Sequence, residues 1–160
     1  MRTTLTSTVE TILGSTRVLI VEDNPYLRKL VRNLLVNIGV KKIDEVDDAL
    51  SGFEAIKAVE PDVVMLEWDL PLLNGAELTR IIRTPGVLAG SAVPIIMFSA
   101  SAPSGRVAEA KQLGVDAYLT MPISAKALLD RIISVLTKSR GADASGAVAE
   151  GEARGSLMTL

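Results

Sequence analysis

Residues 17–39 read RVLIVEDNPYLRKLVRNLLVNIG and predict a strand that passes directly into a helix. The first residues form a compact apolar run of strand length. Asn24 and Pro25 are typical of a helix N-cap and a first helical position, and leucines follow at helical spacing. The stretch therefore predicts one strand–helix unit, with two acids, Glu22 and Asp23, at the junction.

The same alternation continues through most of the chain. The further predicted strands are residues 42–47, 62–66, 93–98 and 117–119, and the helices are residues 52–59, 76–83, 103–113 and a last one capped by Ser124. Strict alternation of strands and helices favours a parallel sheet that is covered on both faces. With right-handed crossovers, the predicted fold is an α/β, (βα)5 doubly wound sheet of five parallel strands.

Both ends lie outside this predicted (βα)5 domain, which covers residues 16–138. Residues 1–15 form an amino-terminal extension in which Ser7 and Glu10 have capping-box spacing, so we expect a short helix. That helix could pack on its own domain or on a second subunit. Residues 139–160 are rich in Gly, Ala, Ser and charge, and we expect a disordered tail.

The composition excludes several classes of function. A formal charge of −2 disfavours a nucleic-acid binder, which would carry a basic face. Because the sequence has no histidine and no cysteine, His-based acid–base catalysis and thiolate chemistry are excluded. No apolar run approaches the length that spans a membrane, so we expect a soluble, cytoplasmic protein.

Polar residues follow the predicted strands at the edge where such sheets bind ligands. Glu22 and Asp23 follow the first strand, Glu67 the third and Ser99 the fourth. Three carboxylates at one edge repel each other unless a cation or a raised pKa relieves them. Oxygen ligands alone favour a hard cation such as Mg²⁺.

Four sequence blocks resemble those of bacterial response-regulator receiver domains of the chemotaxis-regulator type, which have a flavodoxin-like fold. They are VLIVEDNPYLRKLVRNLL (18–35), PDVVMLEWDLPLLNGAEL (61–78), PIIMFSAS (94–101) and GVDAYLTMPIS (114–124). The blocks occur in the family's order and spacing, and the resemblance covers residues 16–138.

The resemblance implies a phosphorylation site. In the family, a histidine kinase passes a phosphoryl group to an aspartate after strand three, and an acidic pair holds Mg²⁺. A hydroxyl after strand four and a lysine after strand five bind the phosphoryl oxygens, and a strand-five aromatic acts as a switch. By this correspondence the hydroxyl is Ser99 and the switch aromatic is Tyr118. The implied Mg²⁺ ligands, for a cation that is weakly bound, are Glu22, Asp23, Glu67 and the backbone carbonyl of Asp69.

Two positions depart from the family's pattern. Glu67 stands where the family has the phosphoacceptor aspartate, and Met121 stands where it has the lysine. Glutamate displaces the carboxylate from in-line geometry, and methionine removes a positive charge, in a reaction that depends on positioning and electrostatics. We therefore expect phosphoryl acceptance to be lost or greatly slowed, and we assign no catalytic residue.

The sequence thus predicts a single-domain pseudo-receiver of two-component, phosphorelay signalling that acts by protein contact and is not an enzyme. The expected partner is a sensor histidine kinase or another signalling protein. A homodimer would form through helix 4, strand 5 and helix 5 of the receiver, around residues 106–136. We also expect Trp68 to be exposed near the pocket and able to contact a partner.

Three alternatives stay open at this point. A working phosphoacceptor could use Asp69 or a tolerant Glu67. Glu67 could instead mimic the phosphorylated state in part, since its single negative charge is less than that of a phosphoryl group. A flavodoxin-like cofactor binder is disfavoured, because VEDNP places two acids where a phosphate would lie.

Overall fold

The structure is a computed structural model that describes residues 2–89 and 92–142. Strands and helices alternate along the chain after one amino-terminal helix. In order they are α1 (Arg2–Ser15), β1 (Arg17–Val21), α2 (Pro25–Ile38), β2 (Lys42–Val46), α3 (Ala49–Val59), β3 (Val63–Glu67), α4 (Gly75–Arg83), β4 (Ile95–Ser99), α5 (Arg106–Leu113), β5 (Ala117–Thr120) and α6 (Ala125–Ala142).

The five strands form one parallel sheet in the order β2-β1-β3-β4-β5. Successive residues of each strand face opposite sides of the sheet, so two separate cores form. One core contains Leu19, Leu66 and side chains of α3, α4 and α5. The other contains Ile20, Met65 and side chains of α1, α2 and α6. The predicted α/β doubly wound fold is confirmed.

Several predicted element boundaries were wrong by a few residues. Strands β3 and β4 extend through Glu67 and Ser99, which were expected to follow them. Helix α3 begins at Ala49, because the side chain of Asp48 accepts a hydrogen bond from the backbone N–H of Ser51. The two strand extensions place the candidate site residues Glu67 and Ser99 on the sheet and not on loops.

The amino-terminal helix packs on its own domain. Leu13 of α1 is fully buried in the core that α2 and α6 share, and its carbonyl accepts a hydrogen bond from the Thr16 N–H at 3.2 Å. Two surfaces were considered for this helix, its own domain and a second subunit, and the structure shows it packed on its own domain.

At the other end, α6 continues through Ala142, beyond the predicted domain boundary at residue 138. The rest of the predicted disordered tail, residues 143–160, lies outside the described residues. Within the described part of the chain, none of the helices has the length and apolar character needed to cross a bilayer.

Candidate functional site

The carboxyl edge of the sheet brings together the side chains that the sequence placed there. Glu67 ends β3 and pairs in register with Phe98, and Ser99 ends β4 beside Thr120. Glu22 follows β1, and its backbone N–H bonds to the carbonyl of β2's last residue at 3.1 Å. Because these strands are parallel neighbours, their ends form one continuous edge.

Glu22 is a buried acid that forms no ion pair with the part of the chain that the structure describes. It is 1% exposed, and in the described residues neither carboxylate oxygen has a hydrogen-bond partner. Burial, followed by the charge of Glu67, raises the pKa of Glu22 to about 8. Arg28 lies nearby, but its guanidinium donates to the backbone carbonyl of Glu22 at 2.8 Å and not to the carboxylate. Glu22 is therefore mostly neutral at pH 7.

Glu67 is also buried, at 4% exposure, and it is held in place by its own turn. Its Oε1 accepts a hydrogen bond from the backbone N–H of Asp69 at 2.8 Å. Burial raises the pKa of Glu67 to about 7, although that hydrogen bond and Arg106 both act in the opposite direction. Glu67 is thus neutral in a large fraction of molecules near neutral pH.

The donor atoms at this edge are of the kind that a hard cation prefers, because the two unpartnered oxygens of Glu22 lie near the carboxylates of Glu67 and Asp23. Their arrangement does not provide a preformed site. Among residues 2–89 and 92–142, no group of three or more acidic side chains could hold a metal ion together. Glu22, Asp23 and Glu67 are therefore candidate ligands whose side chains are not assembled.

Ser99 and Tyr118 are joined through their hydroxyl groups, and both residues are fully buried. The Ser99 hydroxyl also donates to the backbone carbonyl of Ser101 in the loop that follows β4. The Tyr118 hydroxyl lies 3.4 Å from the same carbonyl oxygen. The hydroxyl proposed to bind a phosphoryl group thus has partners within its own chain.

Met121 follows β5 and carries no charge to this edge. Its side chain is partly buried and packs against the core formed by α1, α2 and α6. Its backbone N–H bonds to the carbonyl of Ser99 at 2.9 Å, which holds the ends of β4 and β5 together. Methionine here acts as an apolar space-filling residue.

Trp68 is not exposed, which corrects the expectation from sequence. It is 7% exposed, and its ring lies 6.3 Å from that of Tyr118. The guanidinium of Arg106 covers it at 4.8 Å from the ring centroid. A strand-end position next to an acid suggested exposure, but the side chain of Arg106, the first residue of α5, lies over the indole.

Sequence reasoning did not identify Arg106 as part of the site. Its guanidinium donates to the carboxylate of Asp69 and to the carbonyl of Ser101, each at 3.3 Å. Asp69 precedes it by 37 positions, so no local pattern signals this contact. The only available signal was topological, since the segments after β3 and β4 must be neighbours.

The sequence matches the family model described as response regulator receiver domain over residues 18–133. Chemotaxis protein CheY-3 of Vibrio cholerae serotype O1 is 30% identical over 131 residues, which cover 81% of this chain and 99% of that protein. Chemotaxis protein CheY of Pseudomonas aeruginosa is 28% identical over 125 residues, which cover 78% of this chain and 99% of that protein.

Solved structures show the same fold. The Francisella response regulator 1452 receiver domain aligns with a TM-score of 0.69 at 23% identity, covering 78% of this chain and 99% of that one. Chemotaxis response regulator CheY4 of Vibrio cholerae aligns with a TM-score of 0.65 at 22% identity, covering 76% and 98%. The family match and the 30% identity show that this chain belongs to the response regulator receiver domains of two-component signalling, of the CheY-like kind.

Proposed function

We propose that this chain is an atypical receiver that signals by protein contact and is not phosphorylated at the family's usual position. The observation that carries the proposal is the state of Glu67. This carboxyl is buried, bonded to its own turn and has a pKa raised to about 7. An acceptor must instead be an ionised, accessible carboxylate in line with the donor.

The surroundings of Glu67 support the same conclusion. Met121 supplies no cation, and its side chain packs into the apolar core. The Ser99 hydroxyl donates to Ser101, so its proton is already engaged within the chain. Charge developing on a transferred phosphoryl group would therefore lack the donors that normally stabilise it.

Mg²⁺ is part of the proposal only as a weakly held ion. When bound, it would contact Glu22, Asp23, Glu67 and the Asp69 carbonyl, and it would supply countercharge to the acidic edge. The carboxylates must first ionise and move together, because they do not form a ready group in the described residues. Mg²⁺ binding is therefore less favourable here than at a site whose ionised carboxylates are already in place.

Intact-mass measurement after incubation with Mg²⁺ and acetyl phosphate tests the proposal. We expect no phosphoryl adduct on the natural chain, whereas the double variant Glu67→Asp/Met121→Lys should gain one. The single variants Glu67→Asp and Met121→Lys separate the loss of the acceptor from the loss of the cation. A phosphoryl adduct on the natural chain would refute the proposal.

One observation favours an alternative acceptor. The side chain of Asp69 is 54% exposed and lies 3.3 Å from the Arg106 guanidinium, a cation that could stabilise phosphoryl charge. In that case the natural chain gains the adduct, and Asp69→Asn abolishes it. Retention of an adduct in Asp69→Asn would point to Glu67 itself.

We further propose that a sensor histidine kinase or another signalling protein is the partner. A homodimer through α5, β5 and α6 fits the topology, because β5 is an edge strand and α5 and α6 precede and follow it in the chain. Light scattering across a concentration series measures that association. A monomer mass throughout the series would exclude the dimer.

A further inference from the structure

Three side chains converge on one backbone atom in the loop after β4. The hydroxyls of Ser99 and Tyr118 and the guanidinium of Arg106 are all directed at the carbonyl oxygen of Ser101. Two of these side chains come from neighbouring strands, and the third comes from the first residue of α5. The loop is thus joined to the sheet at the position of the buried tyrosine.

The guanidinium of Arg106 also contacts the turn after β3. It pairs with the Asp69 carboxylate at 3.3 Å and covers the Trp68 ring at 4.8 Å. Its side chain is only 18% exposed despite its charge. One planar group therefore connects the turn after β3 with the loop after β4. Arginine suits this role because its guanidinium can donate hydrogen bonds and stack on an aromatic ring at the same time.

The loop has little else in its own sequence to order it. All residues from 100 to 105 are exposed. Helix α5 starts after Gly105, at φ 86°, and no side chain of residues 2–89 or 92–142 caps its first N–H groups. A segment with exposed residues and an uncapped helix start belongs to the least stable part of a domain, so a few contacts decide its position.

We propose that Arg106 is a positioning residue that latches the β4–α5 loop onto the turn after β3 and thereby keeps Tyr118 buried. The loop carbonyl of Ser101 accepts hydrogen bonds from the hydroxyls of Ser99 and Tyr118, and the Trp68 ring contacts both the Arg106 guanidinium and the Tyr118 ring. The latch rests on the proposed function, because it maintains this arrangement without a phosphoryl group. It makes the unmodified chain adopt one conformation at the surface formed by α5 and β5.

The test follows the two tyrosines in protein labelled with 3-fluorotyrosine. The sequence has two tyrosines: Tyr118 is fully buried, while Tyr26 is 79% exposed and serves as an internal reference. In Arg106→Gln we expect the fluorine signal of Tyr118 to broaden or move toward that of Tyr26. Loss of a partly exposed ion pair and a cation–π contact should raise the open population roughly three- to tenfold.

Two further variants separate the latch from a general change at the surface. Arg106→Lys keeps the charge without the planar fork, so it should restore the Tyr118 signal only in part. Arg32→Gln breaks another arginine–carboxylate ion pair, with Glu45 at 2.9 Å, whose arginine is 43% exposed, and it should leave Tyr118 unchanged. An unchanged Tyr118 signal in Arg106→Gln, or an equal change in Arg32→Gln, would overturn the latch.

Fluorescence of Trp68, the single tryptophan, gives a second readout. Quenching by acrylamide should increase in Arg106→Gln, and less in Asp69→Asn, which removes the ion pair but keeps the guanidinium over the ring. Equal quenching in all variants would refute the latch. None of these measurements uses a phosphodonor, so they test the latch independently of the proposed function. A phosphoryl adduct on the natural chain would refute the proposed function, and the Tyr118 and Trp68 signals would still show whether the latch exists.

Discussion

The environment of Glu22 differs strongly from that of a free glutamate side chain. It is almost fully buried, its carboxylate oxygens have no hydrogen-bond partner within the described residues, and its pKa is raised to about 8. The unfolded chain releases this proton near the ordinary glutamate pKa, while the folded chain keeps it. Between those values the folded state binds more protons, so its stability falls as pH rises.

We therefore expect the free energy of unfolding to decrease by about 2–4 kcal/mol between about pH 5 and about pH 8. Glu67, with its pKa raised to about 7, contributes in the same direction. Glu22→Gln removes the larger titration, so the variant should be more stable than the natural chain at about pH 8 and less dependent on pH. Urea denaturation at several pH values measures both effects.

The matched control for this substitution is Glu109→Gln, on an exposed position of α5. It should leave the pH dependence as it is in the natural chain. If Glu22→Gln kept the full decrease in stability with pH, Glu22 would already be ionised in the folded chain, and the assigned pKa would be wrong.

At the residue scale, sequence could predict which side chains lie at the site but not what they touch. Glu22, Ser99 and Tyr118 were identifiable because strand ends in parallel sheets meet at one edge. The contacts of Trp68 and Arg106 depend on how the turn after β3 lies against the start of α5. These two segments are distant in sequence and no periodicity relates them, so Trp68 was wrongly expected to be exposed.

Gly75 shows how an element start controls the site. It begins α4, its N–H bonds to the Trp68 carbonyl at 2.9 Å, and a Cβ there would lie 2.4 Å from the Glu67 carbonyl oxygen. Backbone cannot yield as a flexible side chain does. We expect Gly75→Ala to displace the end of β3 and to lower the free energy of unfolding by about 1–3 kcal/mol.

The same substitution at Gly14 is the control, because a Cβ there meets only the flexible end of Lys41 at 3.8 Å. Gly14 lies within α1, where alanine is favoured over glycine by roughly 1 kcal/mol, so Gly14→Ala should stabilise the protein. Chemical denaturation of both variants measures the contrast. Equal effects of the two changes would mean that Gly75 is not sterically required.

At the element scale, sequence predicted the order and type of the elements because apolar periodicity differs between strands and helices. The first and last residues of each element were harder to predict from sequence. Helix α5 was expected from residue 103 but begins at Arg106, because Gly105 has a left-handed backbone that no helix residue adopts. The N-cap of α3 by Asp48 was also missed, because a polar residue between two elements can belong to either of them.

At the scale of the whole molecule, the packing of α1 determines where the folded domain begins. From sequence, residues 1–15 were an extension outside the (βα)5 unit, with an undecided partner. In the structure, Leu13 is fully buried, and its side chain lies 3.7 Å from the position of a Cβ on Gly39, at the end of α2. Hydrophobic spacing alone could predict the helix but not the surface that it covers.

The burial of Leu13 predicts that α1 stabilises the domain as part of its core. Leu13→Ala should lower the free energy of unfolding by about 2–4 kcal/mol, because it leaves a cavity among Val31, Leu35 and their neighbours. Leu5→Ala changes a side chain that is 67% exposed on the same helix, so its effect should stay within about 0.5 kcal/mol. Urea denaturation at low and high protein concentration measures the free energy of unfolding of both variants. A small cost for Leu13→Ala would make α1 an appendage, whereas a cost for Leu5→Ala that appears only at high concentration would place a second subunit on this helix.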